Sequence, residues 1–303
     1  MKKQQLARLP LRPRRASRET KIQTIDIVVC IILVFFALLI IFPFWHAFVI
    51  SISSQESYSR NSFLLWPTEL DLTAYKSVFA DSRLWNGYKI TLILLFGGTL
   101  YQLFFTVITG YALSRKRWTG KNFVMNMILV TMFFGGGLIP YYYLINNNLH
   151  MTNTIWVMII PGAIDTFNML LMRNYFASLP AEMEESAKID GANDIVIFAK
   201  IFLPLSLPML ATVGLFFAVG NWNSWYNAMI FIPDRADIWP LQMVLKEMIA
   251  NMSSQMERPD APETFTEAMT MAAIFFTIVP IMCFYPFLQR FFVKGIVVGA
   301  IKG

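Results

Sequence analysis

Six apolar runs occupy most of this sequence, and each exceeds the roughly 20 residues that an α-helix needs to cross the hydrocarbon core of a bilayer. They cover about Ile25–Ile50, Lys89–Leu113, Asn122–Ile145, Thr154–Phe176, Leu205–Ile232 and Thr266–Phe292. Only 15% of the residues are charged, whereas soluble domains carry about 25%. The sequence therefore predicts an all-α membrane protein with six transmembrane helices.

Lysine and arginine predict how these helices are oriented. Eighteen of the basic residues fall at the N-terminus, at the C-terminal end, or in and beside the connections from the second to the third run and from the fourth to the fifth run, and seven fall in or beside the remaining connections. Basic residues concentrate on the cytoplasmic side of membrane proteins. Both termini are therefore expected in the cytoplasm, with the helices crossing the bacterial cytoplasmic membrane. The basic segment 1–24 is interpreted as an arm on anionic lipid rather than a nucleic-acid site. Residues 25–292 would form the membrane domain and residues 293–303 a cytoplasmic tail.

A polar insert, Ser178–Pro204, separates the fourth and fifth apolar runs where a short loop would suffice. Pro180 suits a first helical turn, and the acidic residues after it are favoured by the helix dipole. Asp190-Gly191 predicts the end of that helix, and a second short helix is expected after it. The orientation places the insert in the cytosol, where a soluble partner could bind it. An ordinary amphipathic loop helix without a partner is the alternative.

The insert resembles the EAA loop of ABC-importer permeases. Glu185-Ser186-Ala187 is followed after three residues by Gly191, and after nine more by Ile201-x-Leu203-Pro204; serine replaces the usual middle alanine. The resemblance implies that the insert transmits ATP-driven motion from ATPase subunits. The coupling residues that it implies are Glu184, Glu185, Ala187, Lys188, Asp190, Gly191 and Pro204.

Four further segments are similar to the carbohydrate branch of these permeases, the MalG-like subunits, and more closely to the LplC/YtcP-like subset. They are FFGGGLIPYYYLI (133–145), FNMLLMRNYF (167–176), AVGNWNSWYNAMIFI (218–232) and the C-terminal FVKGIVVGAIKG. The resemblance implies a type I importer fold with the coupling loop between helices 4 and 5. It also implies a homologous second permease, two ATPase subunits, an extracytoplasmic solute-binding protein and an oligosaccharide substrate.

No arrangement of residues in the sequence is typical of catalysis. The two histidines, His46 and His150, lack partners at metal-ligand spacing, and no phosphate-binding G-x-x-x-x-G-K-[ST] loop is present. The expectation is a non-catalytic permease subunit without a cofactor, with ATP and Mg²⁺ bound by its partner ATPases. A stand-alone channel or an ion-coupled sugar carrier is the alternative. It would require paired intramembrane charges or inverted repeats, for which Asp165 alone is thin support.

The fifth apolar run places amides and aromatic rings together, and these residues are candidates for the substrate pathway. Amides pair with sugar hydroxyls, and flat rings stack on the apolar faces of pyranoses. The residues are Asn221, Trp222, Asn223, Trp225 and Tyr226. The alternative is that the asparagines join helices and the rings form an interfacial belt. Neither interpretation is preferred on sequence alone.

Asp165 is a further pathway candidate because it is an ionisable residue midway along the fourth run. It follows Pro161-Gly162, so it could instead cap the second half of a broken helix. The sequence slightly favours the cap.

Overall fold

The computed structural model describes residues 24–115, 118–256 and 267–283, and the regular secondary structure within these ranges is helical apart from one isolated β-bridge between Ser53 and Leu70. The chain divides into two units, residues 1–47 and residues 48–303. Residues 1–23 of the predicted basic arm, the end of the sixth apolar run and the predicted tail lie outside the described residues.

The first unit contains one described element, the part of helix α1 (Thr24–Ser51) that precedes Phe48. Its side chains are apolar around the whole circumference, and from Ile25 to Phe44 they are exposed. Pro43 lies inside the helix. A helix that is apolar on every side is typical of a membrane span, and Ile25–Ser51 has the length and composition to cross a bilayer.

The second unit consists of short and long helices in succession. They are α2 (Gln55–Arg60), α3 (Thr73–Ala80), α4 (Ser82–Ser114), α5 (Lys121–Phe133), α6 (Leu138–Asn148), α7 (Trp156–Ile159), α8 (Thr166–Ser178), α9 (Ala181–Ile189), α10 (Asp194–Leu205), α11 (Leu207–Trp222), α12 (Tyr226–Phe231), α13 (Leu241–Met256) and α14 (Glu267–Cys283). Three contain a π-helical turn: α4 at Leu94–Gly98, α6 at Leu144–Asn148 and α10 at Phe198–Phe202.

Among the described residues, two helices are long and apolar enough to cross a membrane, α1 and α4, and this number rises to four if two bent pairs each count as one span. The pair α5 and α6 is bent by 113°, and the pair α10 and α11 by 78°. The bend in the third apolar run falls at the glycine triplet, where Gly137 has a φ of 85°. The fifth run was expected to be one helix to Ile232, but α11 ends at Trp222 and α12 starts at Tyr226.

The fourth apolar run is also interrupted, because the backbone between α7 and α8 is not helical from Ile160 to Asp165. Pro161 and Gly162 explain the break, since proline lacks a donor and glycine is a poor helix former. The sixth run is represented by α14, whose described part is short and apolar. The second run, in contrast, is longer than expected, because α4 begins at Ser82 rather than near Lys89.

Helix α4 packs closely on α8 and α13 at two glycines. A Cβ atom on Gly110 would lie 3.2 Å from the Arg173 backbone nitrogen in α8, and one on Gly87 would lie 3.0 Å from the Leu241 Cα atom in α13. Small residues allow helices to approach this closely. In membranes, the van der Waals packing that results replaces hydrophobic burial as the main source of packing energy. A buried cluster that includes Phe176, Ile197 and Phe202 joins α8 to α10. The insert is therefore packed onto the helices that flank it.

Candidate functional site

The first half of the insert is the short helix α9, which ends in a glycine turn as the sequence predicts. Asp190 is the C-terminal cap, and Gly191 follows with a φ of 82°. The Gly191 N–H donates to the Lys188 carbonyl (3.1 Å), and the Ala192 N–H donates to the Ala187 carbonyl (2.9 Å). This pair of bonds is a Schellman motif, which requires a left-handed residue that glycine supplies at no steric cost.

The second half of the insert starts directly after this turn. The Asn193 side chain caps α10 by accepting a hydrogen bond from the Val196 N–H (2.9 Å). Asp194 lies in the first turn, where a negative charge is favoured. Helix α10 contains the predicted Pro204 and ends one residue later. The insert is thus a helix–turn–helix with a defined geometry at both of its internal ends.

One arginine outside the insert holds α9 in place. Arg115, the residue after α4, donates from Nη1 to Glu184 Oε2 (2.6 Å) and from Nη2 to the Phe176 carbonyl (3.2 Å). Lys188 donates to the other carboxylate oxygen of Glu184. The Arg115 guanidinium lies over the Tyr111 and Phe202 rings, 4.8 and 4.3 Å from their centroids. We call Arg115, Glu184 and Lys188 the Arg115 cluster.

The cluster keeps Glu184 ionised although it is largely enclosed. Burial by itself would raise the pKa of Glu184, but the hydrogen bond from Lys188 and the positive charges of Arg115 and Lys188 outweigh burial, and the pKa is lowered. The side chains of Arg115, Glu184 and Lys188 are 19, 22 and 25% exposed. Enclosed charges of this kind are stable only while both partners are present.

The predicted coupling residues therefore differ in what they face. Ala187 is buried in the cluster that joins α8 to α10, and Glu184 and Lys188 bind Arg115. Glu185, Asp190 and Gly191 are exposed. A cavity of about 490 Å³ lies beside the Arg115 cluster and includes Glu185 and Asp194 in its wall. Glu185 and Asp190 are thus the acidic residues of the predicted coupling set that remain exposed to a partner.

Sequence reasoning missed two features of this site. Arg115 was counted only as a topology signal, and its partner Glu184 lies 69 residues away. Ile189 at the end of α9 is 86% exposed, and Ile195 at the start of α10 is 76% exposed. These two side chains flank the Gly191 turn, so the tip of the insert presents an apolar surface. Helical periodicity does indicate that Ile189 lies on a different face of α9 from Ala187, because the two residues are two positions apart.

The Asn221 side chain forms hydrogen bonds between α11 and α4. Its Nδ2 donates to Gln102 Oε1 (2.9 Å) and to Thr99 Oγ1 (3.1 Å), and the residue is 8% exposed. The absence of a side chain on Gly98 makes room for the amide, because a Cβ atom there would lie 3.1 Å from Asn221 Nδ2. Asn221 therefore links α11 to α4 by paired hydrogen bonds. We call Asn221, Thr99 and Gln102 the Asn221 node.

The other residues of this segment are not gathered at one point. Trp222 is buried and contacts Tyr88 with ring centroids 6.2 Å apart. Asn223 is exposed, and its amide bonds the Val219 carbonyl. Trp225 lies beneath the Lys246 ammonium, which is 3.6 Å from the ring centroid. Tyr226 is 48% exposed and borders a cavity of about 590 Å³ formed with the glycine triplet. Tyr226 is thus the ring with the most accessible face.

Asp165 caps α8. It has an extended backbone, and its Oδ1 atom accepts a hydrogen bond from the Asn168 N–H (2.8 Å). The residue is exposed, so the carboxylate can cap the helix and still face water or a ligand. The structure places Asp165 in the capping arrangement and leaves its part in the pathway a prediction.

Replacing Asp165 with alanine is expected to lower the stability of the protein by about 1 kcal/mol, because the cap bond to Asn168 is lost. Asp165→Asn should retain the stability, since an amide oxygen caps equally well. Thermal unfolding of the purified protein in mild detergent measures both effects. An Asn variant as unstable as the Ala variant would show that the charge, and not the cap, is what the site requires.

Comparison with known proteins gives matches along nearly the whole chain, although no protein-family model matches it. The chain is 38% identical over 269 residues to protein LplC of Bacillus subtilis (strain 168), which covers 87% of this chain and 90% of LplC. It is 35% identical over 285 residues to the polygalacturonan/rhamnogalacturonan transport system permease protein YtcP of the same organism, covering 92% of this chain and 98% of YtcP.

A solved structure also matches this chain over most of its length. A chain in the crystal structure of a bacterial ABC transporter involved in import of the acidic polysaccharide alginate is 33% identical, with a TM-score of 0.79. The match covers 88% of this chain and 96% of that one. Such identity across most of both chains reflects common descent as well as a common fold. The chain therefore belongs to the membrane-embedded permease subunits of carbohydrate ABC importers, in the subset that contains LplC and YtcP.

Proposed function

We propose that this protein forms half of the translocation pathway of an ATP-driven oligosaccharide importer and is driven through its insert. The observation that carries this proposal is the exposed apolar tip of the insert. Ile189 and Ile195 would be unfavourable on a helix pair in water, and exposed apolar groups of this kind mark interaction sites. Glu185 lies on the same exposed helix and adds a charge that a basic partner surface could bind.

The proposed topology has six crossings, both termini in the cytoplasm and the insert between the fourth and fifth crossings, as in type I importers. The bent pair α5 and α6 counts as the third crossing. Helix α7 with α8 forms the fourth and α11 with α12 the fifth, because α10 belongs to the insert. The excess of lysine and arginine on one side supports this orientation. The near-complete match to a chain of the alginate importer supports the fold.

The proposed partners are a homologous second permease, two ATPase subunits that hold ATP and Mg²⁺, and an extracytoplasmic solute-binding protein. This chain would bind no cofactor and catalyse no reaction. Closure of the ATPases would push α9, and the Gly191 turn would transmit the movement through α10 into the neighbouring spans. Coupling would depend on Glu185 as the exposed contact and on Ala187, Asp190, Gly191 and Pro204 for the shape of the insert.

The proposed substrate is an oligosaccharide. The names of YtcP and of the alginate importer specify acidic polysaccharides, so oligosaccharides with uronic acids are the first to test, beside neutral ones. The pathway would include the rings of Trp225 and Tyr226 and the exposed carboxylate of Asp165, whose negative charge would disfavour anionic sugars unless a cation neutralises it. The Lys246 ammonium on the Trp225 ring brings a positive charge to this region.

Affinity purification in mild detergent tests this function, because only an ABC permease requires ATPase partners. The full chain, purified from the membranes of its native cells, is expected to co-purify with two copies of an ATPase. After reconstitution, the complex should hydrolyse ATP faster when the loaded binding protein is added. Uptake by the chain alone, without any ATPase, would instead identify a channel or an ion-coupled carrier.

A further inference from the structure

Arg115 contacts three helices at the base of the insert, α8, α9 and α10. Its guanidinium bonds Glu184 in α9 and the Phe176 carbonyl near the end of α8, and it stacks on the Phe202 ring in α10. Arg115 itself follows the last residue of α4. A single side chain thus connects the second apolar run to the fourth run and to both helices of the insert.

We propose that Arg115 is a positioning residue that transmits the motion of α9 directly into α4. This inference rests on the proposed function. The resemblance of the insert to the EAA loop implies transmission of motion through the covalent connections of the insert, into the fourth and fifth runs. The Arg115 cluster adds a second route, into a helix that is distant from the insert in the chain.

The geometry of the contact makes it suitable for transmitting force. Arginine presents a planar, pre-organised set of donors, so the carboxylate, the carbonyl and the rings fix both the position and the orientation of the group. The three ionic side chains are at most 25% exposed, so solvent screens them only in part. Separating Glu184 from Arg115 would leave enclosed charges without partners. Helix α9 is therefore expected to move together with the end of α4.

Helix α4 links this contact to the predicted pathway. The α-helical part of α4 runs from Thr99 to Ser114, a rod of about 24 Å at 1.5 Å per residue. The Arg115 cluster lies at one end of this rod. The other end carries Thr99 and Gln102, which bond Asn221. The π-helical turn Leu94–Gly98 precedes the rod, and such turns are frequent at functional sites. A push on α9 would thus reach the Asn221 node without passing through α10.

The reconstituted complex tests this inference by comparing basal ATP hydrolysis with hydrolysis stimulated by the loaded binding protein. The Arg115→Ala variant is expected to retain the ATPases. Its stimulation by the loaded binding protein should be about tenfold smaller than that of the wild type, which corresponds to about 1.4 kcal/mol of coupling free energy. Stimulation in Arg115→Lys should lie between that of the wild type and that of Arg115→Ala. Lysine retains the charge but lacks the planar set of donors that binds the Glu184 carboxylate and the Phe176 carbonyl at the same time. Glu184→Gln should also reduce the stimulation, because it removes the negative charge that Arg115 binds.

Lys200→Ala is the matched control. Lys200 is an exposed cation in α10. The Lys200→Ala variant therefore removes one positive charge near the Arg115 cluster without removing a member of it, and full stimulation is expected. The ratio of sugar imported to ATP hydrolysed separates transmission from a purely structural role, because a partly unfolded fraction lowers both quantities equally. Arg115→Ala should lower the ratio.

Wild-type stimulation in Arg115→Ala would overturn the proposal. Loss of the ATPases from that variant would also overturn it, because Arg115 would then hold the docking surface rather than transmit motion. A wild-type chain that co-purifies with no ATPase would instead reject the proposed function itself, and with it this inference.

Discussion

Gly191→Pro is expected to abolish the stimulation of ATP hydrolysis by the loaded binding protein, while the protein still inserts into the membrane and binds its partner permease. Proline fixes φ near −65°, whereas residue 191 has a φ of 82°. Proline also removes the N–H that bonds the Lys188 carbonyl. The turn would therefore re-form with another shape, and α9 and α10 would no longer present Ile189, Glu185 and Ile195 together.

Gly191→Asn is the matched variant for this prediction. Asparagine adopts the left-handed conformation more readily than other residues with a side chain, and a Cβ atom at residue 191 meets nothing within 4 Å. Stimulation in Gly191→Asn should therefore be close to that of the wild type. Measurement of ATPase activity in proteoliposomes decides the matter. Full stimulation in the proline variant would show that the shape of the turn is not needed for coupling.

The insert is the part of the site that could be predicted from the sequence, because its structure depends on neighbours in the chain. The helix end at Asp190-Gly191 follows from the need for a left-handed residue. The placement of Glu182 and Glu184 in the first turn follows from the helix dipole. The all-helical fold was predictable for a similar reason, since only helices and closed barrels satisfy backbone polar groups within a bilayer.

Contacts between distant parts of the chain could not be predicted. The bonds of Arg115 to Glu184 and of Asn221 to Gln102 depend on how α4 packs against other helices, and no local pattern encodes that. Apolar composition also hides breaks. The fourth run has the composition of one span, and only the Pro161-Gly162 pair indicates the break, after which Asp165 caps a new helix.

Gly110→Leu is expected to prevent stable assembly of the protein, because it would separate α4 from α8. A Cβ atom at residue 110 would lie 3.1 Å from Met172 Cγ and 3.2 Å from the Arg173 backbone nitrogen. The methionine could move, but the backbone could not, and overpacking of this kind costs about 1–3 kcal/mol or more. We expect little full-length protein in the membrane fraction and a polydisperse profile in size-exclusion chromatography.

Gly97→Leu is the control for that experiment, since it makes the same substitution in the same helix. A Cβ atom at residue 97 meets nothing within 4 Å, so a leucine there should be accommodated without loss of protein. Gly110 lies between the Arg115 cluster and the Asn221 node, and its close contact with Met172 keeps the rod Thr99–Ser114 against α8. If Gly110→Leu assembled as well as Gly97→Leu, α4 could not be held firmly against α8, and it could not carry motion from the insert to Asn221.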